Sequence, residues 1–146
     1  NNFNISPMVG FMVSENIAVG GMLSYQSTKE EDGITDDVTT TTFGIGAFGR
    51  YYMTPASDFS IFMQLGASYL TAKQEIGDVE GKANGFAVEF APGVSYFLGD
   101  NWAIEAQIGS LGYNTVKPDA DGAESTDTFN LNLNLQDVQI GVVYKF

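Results

Sequence analysis

The chain has no cysteine and no histidine, and only six Lys and Arg among its 146 residues. Each shortage removes a class of function. Without cysteine there is no disulfide framework and no zinc-thiolate site, although the lack says little about compartment. Without histidine the commonest general base is missing, so catalysis would have to rest on paired carboxylates. Glu89 and Glu105 are the pair to consider, and both fall inside strand-like segments with no cleft suggested. No enzyme activity and no cofactor are expected. A stretch Asp119-Ala120-Asp121-Gly122 has a faint likeness to a calcium loop but lacks the bidentate glutamate at the required spacing, so no metal site is expected either. Six scattered cations against a net charge of -12 argue against nucleic acid as a partner, because phosphate binding needs clustered Lys and Arg. No run reaches the eighteen to twenty apolar residues of a membrane helix, and no basic n-region followed by an apolar run opens the chain.

What the chain does have is alternation. In the last twenty residues Phe129, Leu131, Leu133 and Leu135 hold one phase, and Val138, Ile140, Val142, Tyr144 and Phe146 the other. The apolar set shifts by one residue near Gln136-Asp137, which predicts a bulge. The opposite face carries Asn130, Asn132, Asn134, Gln139 and Lys145, too polar for the second buried face of a sandwich. An apolar outside with a polar inside describes the wall of a transmembrane β-barrel.

The same pattern recurs upstream. Phe3, Ile5, Val9, Phe11 and Val13 alternate with small and polar residues, interrupted by Pro7, and a tight turn at Ser14-Glu15-Asn16 leads into Ile17, Val19, Leu23 and Tyr25. Phe43, Ile45, Ala47, Tyr51 and Met53 form a third strand, and Phe59, Ile61, Met63, Leu65, Ala67 and Tyr69 a fourth. Phe86, Val88, Phe90, Val94 and Tyr96 mark the fifth. The sixth begins with Trp102, Ile104, Ala106 and Ile108 and changes phase through Gly109 toward Leu111 and Tyr113. Short turns at 54–58 and 98–101 alternate with long acidic loops expected over about 28–40, 73–82 and 117–127, which hold twelve of the eighteen Asp and Glu. Tight turns at one end and long connections at the other are the topology of an outer-membrane barrel.

The reading is therefore all-β: one domain, 1–146, an antiparallel up-and-down transmembrane β-barrel with seven strands in this chain. Closed bacterial barrels have an even number of strands, so an eighth is expected upstream of Asn1. Aromatic residues gather near the ends of the apolar runs, and Tyr25, Tyr51, Tyr69, Tyr96 and Trp102, with Tyr52, Phe59 and Tyr113, are read as interfacial girdles. The expected inward residues Arg50, Gln64, Glu89, Glu105, Gln107, Gln139 and Lys145 bring two cations and two carboxylates together as a polar network. Eight strands leave an interior that side chains can fill.

The segments FNISPMVGFMVSENIAVGG, FGRYYM, FAPGVSYFLGDNWAIEAQIGSLGY, KPDADGAESTDTF and the closing VYKF resemble, in order and spacing, the outer-membrane protein β-barrel domain family of small porin-like Gram-negative proteins. The resemblance spans the chain. It implies an eight-stranded barrel in the outer membrane of a Gram-negative bacterium, with outer-membrane lipid as surroundings. It also gives Tyr144 and Phe146 the look of a C-terminal signal read by the barrel-assembly machinery. The expected function is a structural or interaction barrel, either free-standing or an accessory subunit of a larger outer-membrane complex. A soluble lipocalin-like carrier with an apolar lumen and a narrow channel are the alternatives.

Overall fold

The computed structural model describes residues 1–30, 38–132 and 139–144. Ten strand segments form one antiparallel sheet: β1 (Asn2–Ile5), β2 (Met8–Met12), β3 (Ile17–Glu30), β4 (Val38–Tyr52), β5 (Phe59–Ile76), β6 (Val79–Phe97), β7 (Trp102–Gln107), β8 (Ser110–Pro118), β9 (Thr126–Asn132) and β10 (Gln139–Tyr144). They occupy seven positions in space. β1 and β2 both pair with β3, β7 and β8 both pair with β6, and β9 and β10 continue onto β8 and β7. The result is a curled, seven-stranded half-barrel. Among the described residues no helix is long and apolar enough to cross a membrane, which leaves crossing by strands as the open question.

The interruptions have local causes. Pro7 has no N–H to give to β3, so pairing lapses there, yet the carbonyl of Pro7 still accepts from the Leu23 N–H at 3.0 Å and the register is the same on both sides. At the second break, Gly93 pairs with Gln107 while Phe90 pairs with Leu111, so four steps along one strand answer three along the other. This one-residue bulge places Gly109 at φ +90°, a conformation open to glycine at little cost. It also flips the outward set from Trp102, Ile104 and Ile108 to Leu111 and Tyr113, the phase change legible in the sequence. On the last strand Gln139 stands opposite Gln107 and Asn132 opposite Ser110, so a seven-residue step answers a three-residue one. The bulge expected at Gln136-Asp137, with Leu133 and Leu135, lies outside the described residues.

The alternation sorts the two faces. Ile61, Met63, Leu65 and Tyr69 are exposed on one side of β5, and Phe62 and Gln64 are buried on the other. Exposed large apolar residues continue around the outside as Leu23, Ile45, Phe86, Ile104, Val142 and others. In water such a belt would far exceed the apolar patch that a monomer tolerates; in hydrocarbon it is the expected surface.

All three of the expected acidic loops are shorter than the composition suggested. β5 and β6 pair without a break from Phe59↔Tyr96 to Ile76↔Val79, so residues 73–82 are a hairpin rather than a loop. Gly77, at φ 55°, sits first in its two-residue Gly77-Asp78 turn. The register sets Lys73 opposite Lys82 and Glu75 opposite Glu80, like charges that would oppose pairing on their own. They are offset by one diagonal ion pair across the ladder, Lys73–Glu80 at 3.0 Å, and by two along the strands, Lys73–Glu75 at 2.6 Å and Lys82–Glu80 at 3.2 Å. The other strands extend too: β3 reaches Glu30 and β4 begins at Val38, and the third connection narrows to residues between Pro118 and Thr126.

Candidate functional site

Arg50 stands near the short-turn end of β4 and points into the curl. On its own strand it is opposite Gln64 of β5, in an unbroken ladder. Its side chain is 4% exposed, and three groups from three directions accept its protons. Nε and Nη2 donate to Gln64 Oε1 at 2.9 and 2.6 Å. Nη1 and Nη2 donate to Glu105 Oε2 and Oε1 at 2.6 and 3.2 Å, a two-pronged arrangement that suits the planar fork of guanidinium. Nη1 also donates to the Tyr52 hydroxyl at 3.2 Å. Beneath the guanidinium lies the ring of Phe62, with its centroid 4.1 Å from Cζ, close enough for a cation–π contribution.

Glu105 belongs to β7, three ladders away from β4 around the wall. The pair therefore bridges the concave interior instead of linking neighbours. Its surroundings make room for it. A Cβ at Gly93 would collide with the ring of Phe62, and a Cβ at Gly141 would lie 3.2 Å from Glu105 Cγ. Ala18, Ala91 and Ala103 complete the buried layer together with Ser60 and Ser95. Among the described residues no buried side-chain nitrogen or oxygen is left without a partner. An ion pair in such a setting is costly to desolvate and is repaid only when every polar atom is matched; here it is matched.

Of the inward residues expected from the sequence, Arg50, Gln64 and Glu105 come together. Glu89 and Gln107 do not join them: Glu89 lies one layer above, opposite Gly66 and Gly112, and the guanidinium is already saturated by the other three partners. Lys145 and Phe146 lie outside the described residues, and of Gln139 only the backbone pairing is described. Two members of the cluster were not anticipated. Tyr52, grouped with the interfacial aromatics, turns inward, because adjacent Tyr51 and Tyr52 must face opposite sides. Phe62 is fully buried under Arg50. The signal for both is the two-residue period itself, which puts them in phase with Arg50 and Gln64.

The outward aromatics fall in two rows. Tyr51, Phe59, Tyr96, Trp102 and Tyr144 lie toward the short turns, and the indole of Trp102 meets the ring of Tyr144 edge-on at 4.9 Å. Tyr25, Phe43, Tyr69 and Phe86 lie toward the long connections, with Phe3 beside Tyr25 at 6.4 Å. On β5 the rows are ten residues apart, Phe59 to Tyr69. At about 3.3 Å per residue and a tilt near 40° this is ~25 Å of height, the thickness of the apolar band of outer-membrane barrels.

Along residues 1–146 the chain matches the outer membrane protein beta-barrel domain. The chain belongs to that family. Family membership and the all-β sheet together give an outer-membrane β-barrel protein. No curated protein and no solved structure matches the chain. For an outer-membrane barrel, the bridged pair inside the wall is a crossbar, and Gln64, the partner of Arg50, lies midway along β5 between Phe59 and Tyr69.

Proposed function

We propose that this protein is a non-enzymatic structural barrel of a Gram-negative outer membrane, blocked by its own Arg50–Glu105 crossbar and presenting its tall external sheet for contacts. The observation that carries the reading is the buried ion pair spanning the interior of a wall whose outer face is apolar. A pair of that size, packed on Phe62 and held by Gln64 and Tyr52, favours an interior filled by side chains over a channel. A polar layer inside and an apolar face outside also run opposite to a soluble carrier.

Seven alternating strands make the two outermost positions, β1–β2 and β9–β10, parallel to each other. Among the described residues no ladder joins them. An eighth strand antiparallel to both closes the wall and removes edges that hydrocarbon cannot solvate. The barrel-assembly machinery is the partner during insertion, with Tyr144 and Phe146 as the signal it reads.

The test combines three readings on one preparation from cells. The reading expects detergent-dependent extraction, heat-shifted mobility on a gel, and no single-channel steps in planar bilayers. Steady conductance in the folded form would contradict the crossbar's role. Co-purification in mild detergent distinguishes a free-standing barrel from an accessory subunit.

A further inference from the structure

Above the upper aromatic row the outer face of the wall changes chemistry in the same order on strand after strand. Taking every second residue upward, β5 carries Thr71, Lys73 and Glu75 after Tyr69, and β6 carries Asn84, Lys82 and Glu80 after Phe86. On β8 Thr115 and Lys117 follow Tyr113, and on β3 Ser27 and Lys29 follow Tyr25. Four of the five lysines of the chain thus stand two outward positions above an aromatic ring. At about 3.3 Å per residue and a tilt near 40° those four residues rise about 10 Å, and lysine stems are long enough to lay their ammonium back toward the headgroups.

The registers gather three of these lysines into one patch. Thr71 faces Asn84 and Lys73 faces Lys82 across the β5–β6 ladder, and Asn84 faces Lys117 across the β6–β8 ladder. Asn84 is therefore central, with Thr71 and Lys117 on its two sides, Lys82 two residues along its own strand and Lys73 on the diagonal. Thr71, Lys82, Asn84 and Lys117 are exposed, and the Lys73 side chain is 42% exposed. An open cleft of about 640 Å³ adjoins the patch, lined by Asn84, Lys117 and residues 118–121.

The charges of this patch are layered. Lys73 and Lys82, directly opposite each other, repel, and the carboxylates that answer them, Glu75 and Glu80, stand one outward position farther from the membrane. Asp119, whose N–H donates to the Lys82 carbonyl at 2.8 Å, follows Lys117 in the same order. Among the described residues no carboxylate forms an ion pair with Lys117. Toward the membrane the next outward residues are Thr71, Asn84 and Thr115, and then the aromatic row. Asp127 of β9, opposite Thr115 at that level, is engaged by the Tyr113 hydroxyl, which donates to it.

We propose that this patch docks a phosphomonoester headgroup of the outer-leaflet lipid, with Lys73, Lys82 and Lys117 reaching down onto the phosphate oxygens and Thr71 and Asn84 donating beside them. Charge complementarity selects this occupant, because donors form the layer nearer the membrane and carboxylates the layer beyond it. Exposed ion pairs such as Lys73–Glu80 contribute little, so the ammoniums can turn to a phosphate, and a dianion set between Lys73 and Lys82 removes their repulsion. The proposal rests on the outer-membrane reading and adds a ligand to it.

The test uses the full chain in phosphatidylcholine vesicles with traces of spin-labelled lipid, where electron paramagnetic resonance separates lipid held at the barrel from bulk lipid. Phosphatidic acid, a phosphomonoester, is expected to associate about 5-fold or more strongly than phosphatidylglycerol, a diester. The triple variant Lys73→Gln, Lys82→Gln, Lys117→Gln should bring the two lipids together. Lys117→Gln alone, which breaks no ion pair of the described residues, should remove part of the preference, and Glu75→Gln with Glu80→Gln should increase it. Equal association of the two lipids with the unaltered chain, or a preference that survives the triple variant, overturns the proposal. Displacement of the lipid by inorganic phosphate also overturns it, assigning the patch to a free anion. Heat-modifiable mobility is read on every sample: its loss in the unaltered chain counts against the barrel reading, whereas its presence without lipid preference counts against the lysine patch alone.

Discussion

Arg50 and Glu105 meet at 2.6 Å although three ladders of sheet separate their strands. Neighbouring strands are held by backbone bonds, but only side chains cross the interior, so this pair and its ring of partners fix the curvature of the wall. Removing either member leaves the other charge buried. Arg50→Ala or Glu105→Ala should each cost about 3–5 kcal/mol, read from urea unfolding followed through Trp102, the one tryptophan. The double variant Arg50→Met, Glu105→Met should lose clearly less than the two single losses added. Additive losses would mean that the pair is not coupled.

Gly93 is expected to be intolerant of even a methyl group. A Cβ there meets the Phe62 ring and comes 2.8 Å from the Ala106 carbonyl oxygen. Gly93→Ala should therefore destabilise by about 1–3 kcal/mol, the ordinary cost of overpacking. Gly49, whose Cβ would meet nothing within 4 Å, is the matched control: Gly49→Ala should be close to neutral in the same unfolding assay.

Depth in the membrane should set the effect of a charge on the outer face. Leu65 lies near the middle of the span between Phe59 and Tyr69, and Thr71 lies beyond it. Leu65→Arg is expected to cost about 2–4 kcal/mol of folding into vesicles, and Thr71→Arg about 0–1. Similar penalties at both positions would place the membrane elsewhere on the wall.

The external β5–β6 hairpin should depend on pH at both extremes and not in between. Hydrogen bonds from Lys73 and then Lys82 hold the Glu80 carboxyl below its usual range, and bonds to Glu75 and then Glu80 hold the Lys73 ammonium above its own. A lowered carboxylate contributes stability above its unfolded pKa and loses it as pH falls through the folded value. A raised ammonium contributes fully below its unfolded pKa and loses it as pH rises through the folded one. Amide protection factors near Val79 are thus expected to be flat around neutrality and to drop under acid and under strong alkali. Added salt should weaken the effect, because these side chains are exposed.

The proposed assembly signal, Tyr144 and Phe146, gives a prediction. Deleting Phe146 is expected to impair insertion by the barrel-assembly machinery more than refolding in detergent. Equal losses in the two assays would reduce it to an anchor.

Most of the wall was legible in the sequence because its period of two is enforced from both sides, by lipid outside and a narrow interior inside. Even the bulge at Gly109 showed as a phase change between Ile108 and Leu111. What misled was the reading of charge as loop. Lys73, Glu75, Glu80 and Lys82 look like a solvated connection along the chain, but they lie on paired strands with Lys73 reaching Glu80 across the ladder, and a ladder's partner is not visible in a one-dimensional string. The crossbar was partly legible for the same reason. Alternation placed Arg50, Gln64, Glu89, Glu105 and Gln107 on one face, but which of them meet depends on strand stagger and on the glycines that let Phe62 lie beneath the guanidinium. The adjacent Tyr51-Tyr52 pair needed the rule applied residue by residue, and aromatic clustering alone placed both outside.

The orientation of the wall can be measured directly, since a chain without cysteine accepts single labels cleanly. Spin labels placed one at a time from Ile61 to Gly66 on β5 should show oxygen accessibility in vesicles at 61, 63 and 65. At 62, 64 and 66 the labels should be shielded from oxygen and immobilised. The opposite phase, or accessibility to a water-soluble nickel complex at 61, 63 and 65, would contradict a lipid-facing wall and everything built on it.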